Sequence, residues 1–107
     1  MMSNELEGYV KILLTYDILP DAVEGYHQYM LGEMVPKAQV MGLGMVEAWH
    51  TAIGDYPIRL IAFVVENYAA AKLALNSDEW IDMEKQLQEY VTNYSCRVVP
   101  LRDRFQF

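Results

Sequence analysis

The chain opens on a period-two alternation of apolar and polar residues. From Gly8 to Ile18, Val10, Ile12, Leu14 and Tyr16 fall on one face, and Tyr9, Lys11, Leu13, Thr15 and Asp17 on the other. This predicts a strand with one dry and one mixed face, the even-numbered set turned toward helices. Leu19-Pro20-Asp21 breaks the strand, and Asp21 is a fitting N-cap for a helix running to about Gln39. Its apolar stripe is Val23, Tyr26, Met30, Met34 and Ala38, at spacings of three and four. Pro36 should kink that helix or end it early, and Gly42 and Gly44 mark the way out.

Leu43 to Glu66 reads as two strands closed by a tight turn, with Gly54-Asp55-Tyr56-Pro57 as the interruption. Ile58 to Val65 is almost unbroken apolar sequence, the pattern of a strand covered on both faces. Asn67 then caps a short helix from Tyr68 to Leu75, favoured by the run Ala69-Ala70-Ala71. Ser77 or Asp78 caps a longer one, with a stripe of Trp80, Met83, Leu87, Tyr90 or Val91, and Tyr94. Ser95 to Leu101 is the expected last strand.

Strand, helix, strand, strand, helix, strand gives a ferredoxin-like α+β fold. Two right-handed crossovers share an antiparallel sheet of order 4-1-3-2, with both helices on one face. The other face is left bare, and packing it against a second copy closes a dimeric α+β barrel. Composition supports that step. A hydrophobic share of 53% with only 21% charged residues in 107 suggests apolar surface hidden by a homodimer, and the length fits a single domain over 1–107. The net charge of −7 opposes phosphate backbones and anionic lipid surfaces, which argues against nucleic-acid and membrane partners. The N-terminal residues are polar and acidic, no stretch has the length of a membrane span, and Cys96 is the single cysteine, so a cytoplasmic home is expected.

Thr15-Tyr16 then Pro20, Pro36 late in the first helix, Gly42, Trp49 and Thr51 then Gly54, Ser77-Asp78-Glu79-Trp80 opening the long helix, and Pro100 with Phe105 follow one another in a telling order. The pattern resembles the NIPSNAP-type branch of the dimeric α+β barrel superfamily over nearly the whole chain. It departs from that branch at Leu14, where NIPSNAP-type chains often carry an arginine. The resemblance implies a homodimer with a cavity between sheet and helices in each subunit. It implies no single reaction, because the superfamily includes cofactor-independent monooxygenases, haem-degrading enzymes and isomerases.

His27 and His50 are the two imidazoles, hence the natural proton carriers near neutral pH. Each also has a plain structural reading, His27 as a half-exposed helix residue and His50 as a hydrogen-bonded strand residue with Arg59 and Ile61 as cross-strand neighbours. Two distant histidines make no metal cluster. No resident cofactor is expected, although haem stays open because one histidine suffices as its axial ligand. Trp49, Tyr16, Tyr26, Trp80 and Tyr90 suit a cavity for a flat, partly polar ligand, or simply fill the core, and Met30, Met34, Met41, Met45 and Met83 would make such a pocket adaptable or merely fill it. Arg59, Arg97 and Lys11 either pair with Glu47 and Asp17 or hold an anionic group. The sequence lacks a nucleophile elbow and a phosphate loop, and Cys96 on a buried strand reads as inert.

Two functional readings follow. In one, a homodimer binds a small, mostly apolar molecule between sheet and helices. Any chemistry is then of the cofactor-independent monooxygenase or isomerase kind, with His27 and Tyr16 as catalytic candidates and Trp49, His50, Tyr26, Met30, Trp80 and Tyr90 lining the pocket. In the other, a non-catalytic binding dimer fills its own core.

Overall fold

The computed structural model describes residues 8–53 and 56–100, with side chains at 8–44 and 59–100. Four antiparallel strands, β1 (Val10–Ile18), β2 (Gly44–Ile53), β3 (Tyr56–Val65) and β4 (Val91–Pro100), form one sheet in the order β2-β3-β1-β4. The expected α+β ferredoxin-like topology is therefore the one observed. Helices α1 (Val23–Tyr29), α2 (Val35–Val40), α3 (Tyr68–Leu75) and α4 (Asp78–Leu87) make the two crossovers.

The alternation in β1 has its structural counterpart. Val10, Ile12, Leu14, Tyr16 and Ile18 are buried in the same core cluster as Tyr26, Met30 and Met34 of the first helical segment and Trp80, Met83 and Leu87 of α4. In β3, Ile61, Phe63 and Val65 join them, set by the pairings Leu14 with Ile61, Ile12 with Phe63 and Val10 with Val65. Leu13, Thr15, Leu60, Val64 and Val99 on the opposite face are only half-buried.

The first helix departs from expectation in three places. Asp21 makes no cap; it lies inside a tight turn, Pro20–Ala22, that precedes α1. Val23 is 43% exposed, and Tyr29 takes the core position instead. Pro36 does not end the helix, because Met30–Met34 form one wide turn in which Val35 N–H donates five residues back to the Met30 carbonyl. Widening the turn ahead of a proline relieves its ring of the carbonyl it would otherwise strike, and the helix continues to Val40.

The second crossover follows the sequence more closely. Asn67 Oδ1 accepts from Ala70 N–H at 2.7 Å, and Ser77 Oγ accepts from Trp80 N–H at 3.2 Å while donating to the Ala74 carbonyl at 2.7 Å. Helix α4 ends at Leu87, earlier than its apolar stripe suggested, and β4 starts at Val91 instead of Ser95. Tyr94 thus belongs to the strand. The β-branched pair Val91-Thr92 favours strand over helix there. The hairpin loop is also shorter than expected, with Tyr56 and Pro57 already in β3 opposite Ile53 and Ala52; Gly54 and Asp55 lie outside the described residues.

One irregularity bears on the site. Between the pairings Thr15 with Ser95 and Asp17 with Thr92, β4 carries one residue more than β1. Asn93 takes the left-handed conformation there, at φ 57°, and its side-chain amide donates to Asp17 Oδ2 at 2.7 Å. Asparagine is among the few side chains that enter this region readily. The bulge lies opposite Tyr16.

Candidate functional site

Four of the described side chains meet near the C-terminal end of β1. Tyr16 comes from β1, Tyr26 and His27 from α1, and Arg59 from the start of β3, where it pairs in register with Tyr16. The hydroxyl oxygens of Tyr16 and Tyr26 lie 2.6 Å apart, and their rings meet edge to face at 5.7 Å. Tyr26 also meets the His27 ring edge to face at 5.2 Å, and the Arg59 guanidinium carbon lies 5.7 Å from the Tyr26 ring centroid. Arg59 Nη2 is 3.3 Å from His27 Nε2. A guanidinium only donates, so Nε2 is the acceptor in this contact and the ring proton sits on Nδ1.

Both phenols stay protonated through the neutral range. Burial pushes Tyr16 far up, and the neighbouring Tyr26 adds to it. Tyr26 is raised as well, again by burial, while its bond to Tyr16 and the positive charge of Arg59 pull the other way. Negative character is thus better tolerated on the Tyr26 oxygen. Either hydroxyl can be the donor of this bond, and the Arg59 guanidinium also interacts with the Tyr26 hydroxyl.

The bulge carries the array onward. Tyr94 stacks on Tyr16 at 6.5 Å with planes 24° apart, and its hydroxyl donates to Glu84 Oε2 of α4 at 2.6 Å. Burial and that carboxylate hold the Tyr94 phenol well above its ordinary range. Cys96 lies half-buried beside it, its thiol pushed up to about 11 by burial and then by Glu84. That suits the inert cysteine expected from the sequence.

Of the other candidates, Met30, Trp80 and Tyr90 lie apart from this group. Met30 and Trp80 are core residues, 4% and 0% exposed; Trp80 packs edge to face on Phe63 at 6.1 Å, and its indole N–H is buried without a partner among the described residues. Tyr90 is half-buried and stacks on Tyr29 at 5.7 Å. The side chains of Trp49 and His50 lie outside the described residues, although the backbone register places Trp49 opposite Leu60 and His50 opposite Arg59. A cleft of about 230 Å³ opens between the first helical segment and α4, lined by Tyr29, Glu33, Lys37, Glu79, Asp82, Met83 and Gln86, so of the candidate pocket residues Met83 alone borders it. Among the described residues, no three His, Cys, Asp or Glu side chains converge as a metal site, and no helix is long and apolar enough to cross a membrane.

The sequence marks Arg59 as an unusual strand cation that, if it faced the barrel, would pair with a carboxylate across the dimer or hold an anionic group. Instead it faces the helices and meets an imidazole and an aromatic ring. Its place followed from the register, since Arg59 shares the phase of Ile61 and Phe63. Tyr94 was missed because it was assigned to the helix.

The fold is shared with solved NIPSNAP-like proteins and with proteins described as antibiotic biosynthesis monooxygenases. An uncharacterized NIPSNAP-like domain protein from Burkholderia xenovorans superposes with a TM-score of 0.65 at 13% identity, over 94% of this chain and 90% of that one. A NIPSNAP family protein from Agrobacterium tumefaciens gives 0.62 at 13% identity, over 89% and 94%. SnoaB, a cofactor-independent oxygenase from Streptomyces nogalater, gives 0.64 at 13% identity, over 91% and 96%. No family model matches the sequence, and no curated protein does. At these identities the likeness is one of fold.

Proposed function

We propose that this chain acts as a homodimer that binds a small, mostly apolar molecule where Tyr16, Tyr26, His27 and Arg59 meet. The observation that carries the reading is the contact of Arg59 with both His27 and the Tyr26 ring, above a buried pair of hydrogen-bonded phenols. Aromatic faces supply contact area, while the guanidinium, the imidazole and the Tyr26 hydroxyl supply directed polar groups, the usual division of labour in a small-molecule site. His50, paired in register with Arg59, is proposed beside them, whereas Trp49 shares the strand phase of Leu60 on the other sheet face and Met30, Trp80 and Tyr90 are packed in the core.

The chemistry such a set supports is proton transfer at a carbon made acidic by a neighbouring carbonyl. His27 takes the proton at Nε2 once Arg59 turns to the substrate oxygen, and the guanidinium stabilises the enolate that forms. The bond to Tyr16 holds the Tyr26 hydroxyl in place. This step is common to isomerases and to oxygenases that work without a cofactor, and SnoaB, an oxygenase of that description, has the same fold. The homodimer is supported by the half-buried apolar residues Leu13, Leu60, Val64 and Val99 on the sheet face away from the helices.

A second reading, a binding dimer without catalysis, is favoured by the tight burial of Tyr26, Met30 and Trp80 in one continuous core. Native mass spectrometry of the purified protein, repeated under denaturing conditions, tests both the dimer and the ligand. A dimer carrying extra mass that leaves on denaturation supports the site, and conversion of that molecule by the wild type but not by His27→Ala supports catalysis. An empty dimer favours the second reading, and a monomer overturns the barrel.

A further inference from the structure

We infer that the molecule bound at this site is a carboxylic acid, and that Arg59 selects it; the inference rests on the binding reading above and narrows its ligand. Arg59 is half-buried, and among the described residues no carboxylate pairs with it, in a chain whose net charge is −7. Acidic groups are plentiful, yet Asp17 accepts from Asn93, Glu84 from Tyr94 and Glu33 from Lys37. The guanidinium is left with one 3.3 Å contact to an imidazole and with Tyr26, whose ring face it meets and whose hydroxyl it also engages, all of them neutral partners. Its Nε–H is shielded from water and has no partner. A buried donor without a partner is costly, and a charged one more so, unless something arrives to satisfy it.

The missing partner has a definite chemistry. The Nε–H and Nη2–H edge of a guanidinium matches the two oxygens of a planar carboxylate, and Nη2 has two hydrogens, of which the His27 contact uses one. One cation suits a monoanion. A phosphate dianion would need further positive charge, and the described lysines do not supply it: Lys37 is engaged with Glu33, Lys72 and Lys85 are exposed on α3 and α4, and Lys11 is buried on the strand phase facing away from the helices. The aromatic rings of Tyr16 and Tyr26 suit an apolar body attached to that carboxylate. Arg59 is thus a specificity-determining residue, separating acids from neutral molecules of the same shape.

Calorimetric titration with 2-naphthoate and with its neutral isostere 2-naphthamide tests this on the wild type, Arg59→Gln and Arg59→Lys, each checked for folding by circular dichroism. The expected result is acid binding tighter than amide binding by about tenfold or more in the wild type, the size of one charge-assisted hydrogen bond. Arg59→Gln should lose that preference, and Arg59→Lys, which keeps the charge without the fork, should retain part of it. Equal binding of acid and amide overturns the inference while leaving the binding site in place, as does a preference that survives in Arg59→Gln. Failure of both probes to bind at millimolar concentration also overturns it. The native mass spectrum then judges the broader reading separately: a retained neutral molecule sinks the acid and keeps the site.

Discussion

Tyr16 and Tyr26 satisfy each other: their hydroxyl oxygens lie 2.6 Å apart, and each residue is only 1% exposed. The bond joins strand β1 to helix α1 inside the core. Removing one hydroxyl strands the other away from water, whereas removing both leaves an apolar contact of nearly the same shape.

Tyr16→Phe and Tyr26→Phe should therefore each cost about 1–3 kcal/mol, and the double variant much less than the sum of the two. Urea unfolding of the four proteins closes the cycle. Additive losses would mean that the two phenols do not depend on each other.

Alkaline pH should destabilise the fold progressively from about pH 9 upward, the thiol contributing first and the phenols joining it. The Cys96 thiol rises from 9.0 to about 11 and the Tyr29 phenol from 10.0 to about 12, both chiefly through burial. Between pH 9 and 11 the unfolded chain has released the thiol proton while the folded one keeps it, so stability falls as pH rises. Tyr29 acts in the same direction between 10 and 12, and the other raised phenols share that sign. Unfolding midpoints measured against pH should lose the earlier part of the fall in Cys96→Ala and some of the later part in Tyr29→Phe. Unchanged curves would remove these groups from the account.

Leu13→Glu should give a folded monomer. Leu13 lies on β1 between Ala62 and Arg97, in the middle of the sheet face away from the helices. A charge there disfavours burial against a second copy without touching the core. Sedimentation equilibrium of wild type and variant measures it, and an unaltered dimer would place the interface elsewhere.

Asn93→Ala should cost about 1–2 kcal/mol for its left-handed backbone, with a further loss from the broken bond to Asp17. Asn93→Gly should cost less, because glycine accepts that conformation. Thermal unfolding ranks the two, and the reverse order would contradict the bulge.

Much of the fold was legible because its signals are local. Asn67 and Ser77 cap the helices they were expected to cap, and the even-numbered residues of β1 are buried as a set. The errors lie elsewhere. Val23 is the first residue of α1 and lies exposed at its start while Tyr29 is buried at its end, and Tyr94 moved to β4 because strand pairing with β1 outweighed a helical spacing. Of the site, Tyr16, Tyr26 and His27 could be named from residue type alone. The role of Arg59 depends on a partner 32 positions away in sequence, and no local pattern encodes which of several charges will be left without an opposite.

The wide turn at Met30–Met34 also governs how this chain can change length. Such a turn is a helix holding one residue more than its neighbours require. Gly32 lies in it, is exposed, and would meet nothing with an added Cβ. Deleting Gly32 would restore ordinary winding and keep Tyr26 and Ala38 on the sheet, but would bring the Pro36 ring back against a carbonyl. A lineage could therefore shed that residue only by replacing Pro36 as well, so the insertion and the proline are bound to be inherited, or lost, as a pair.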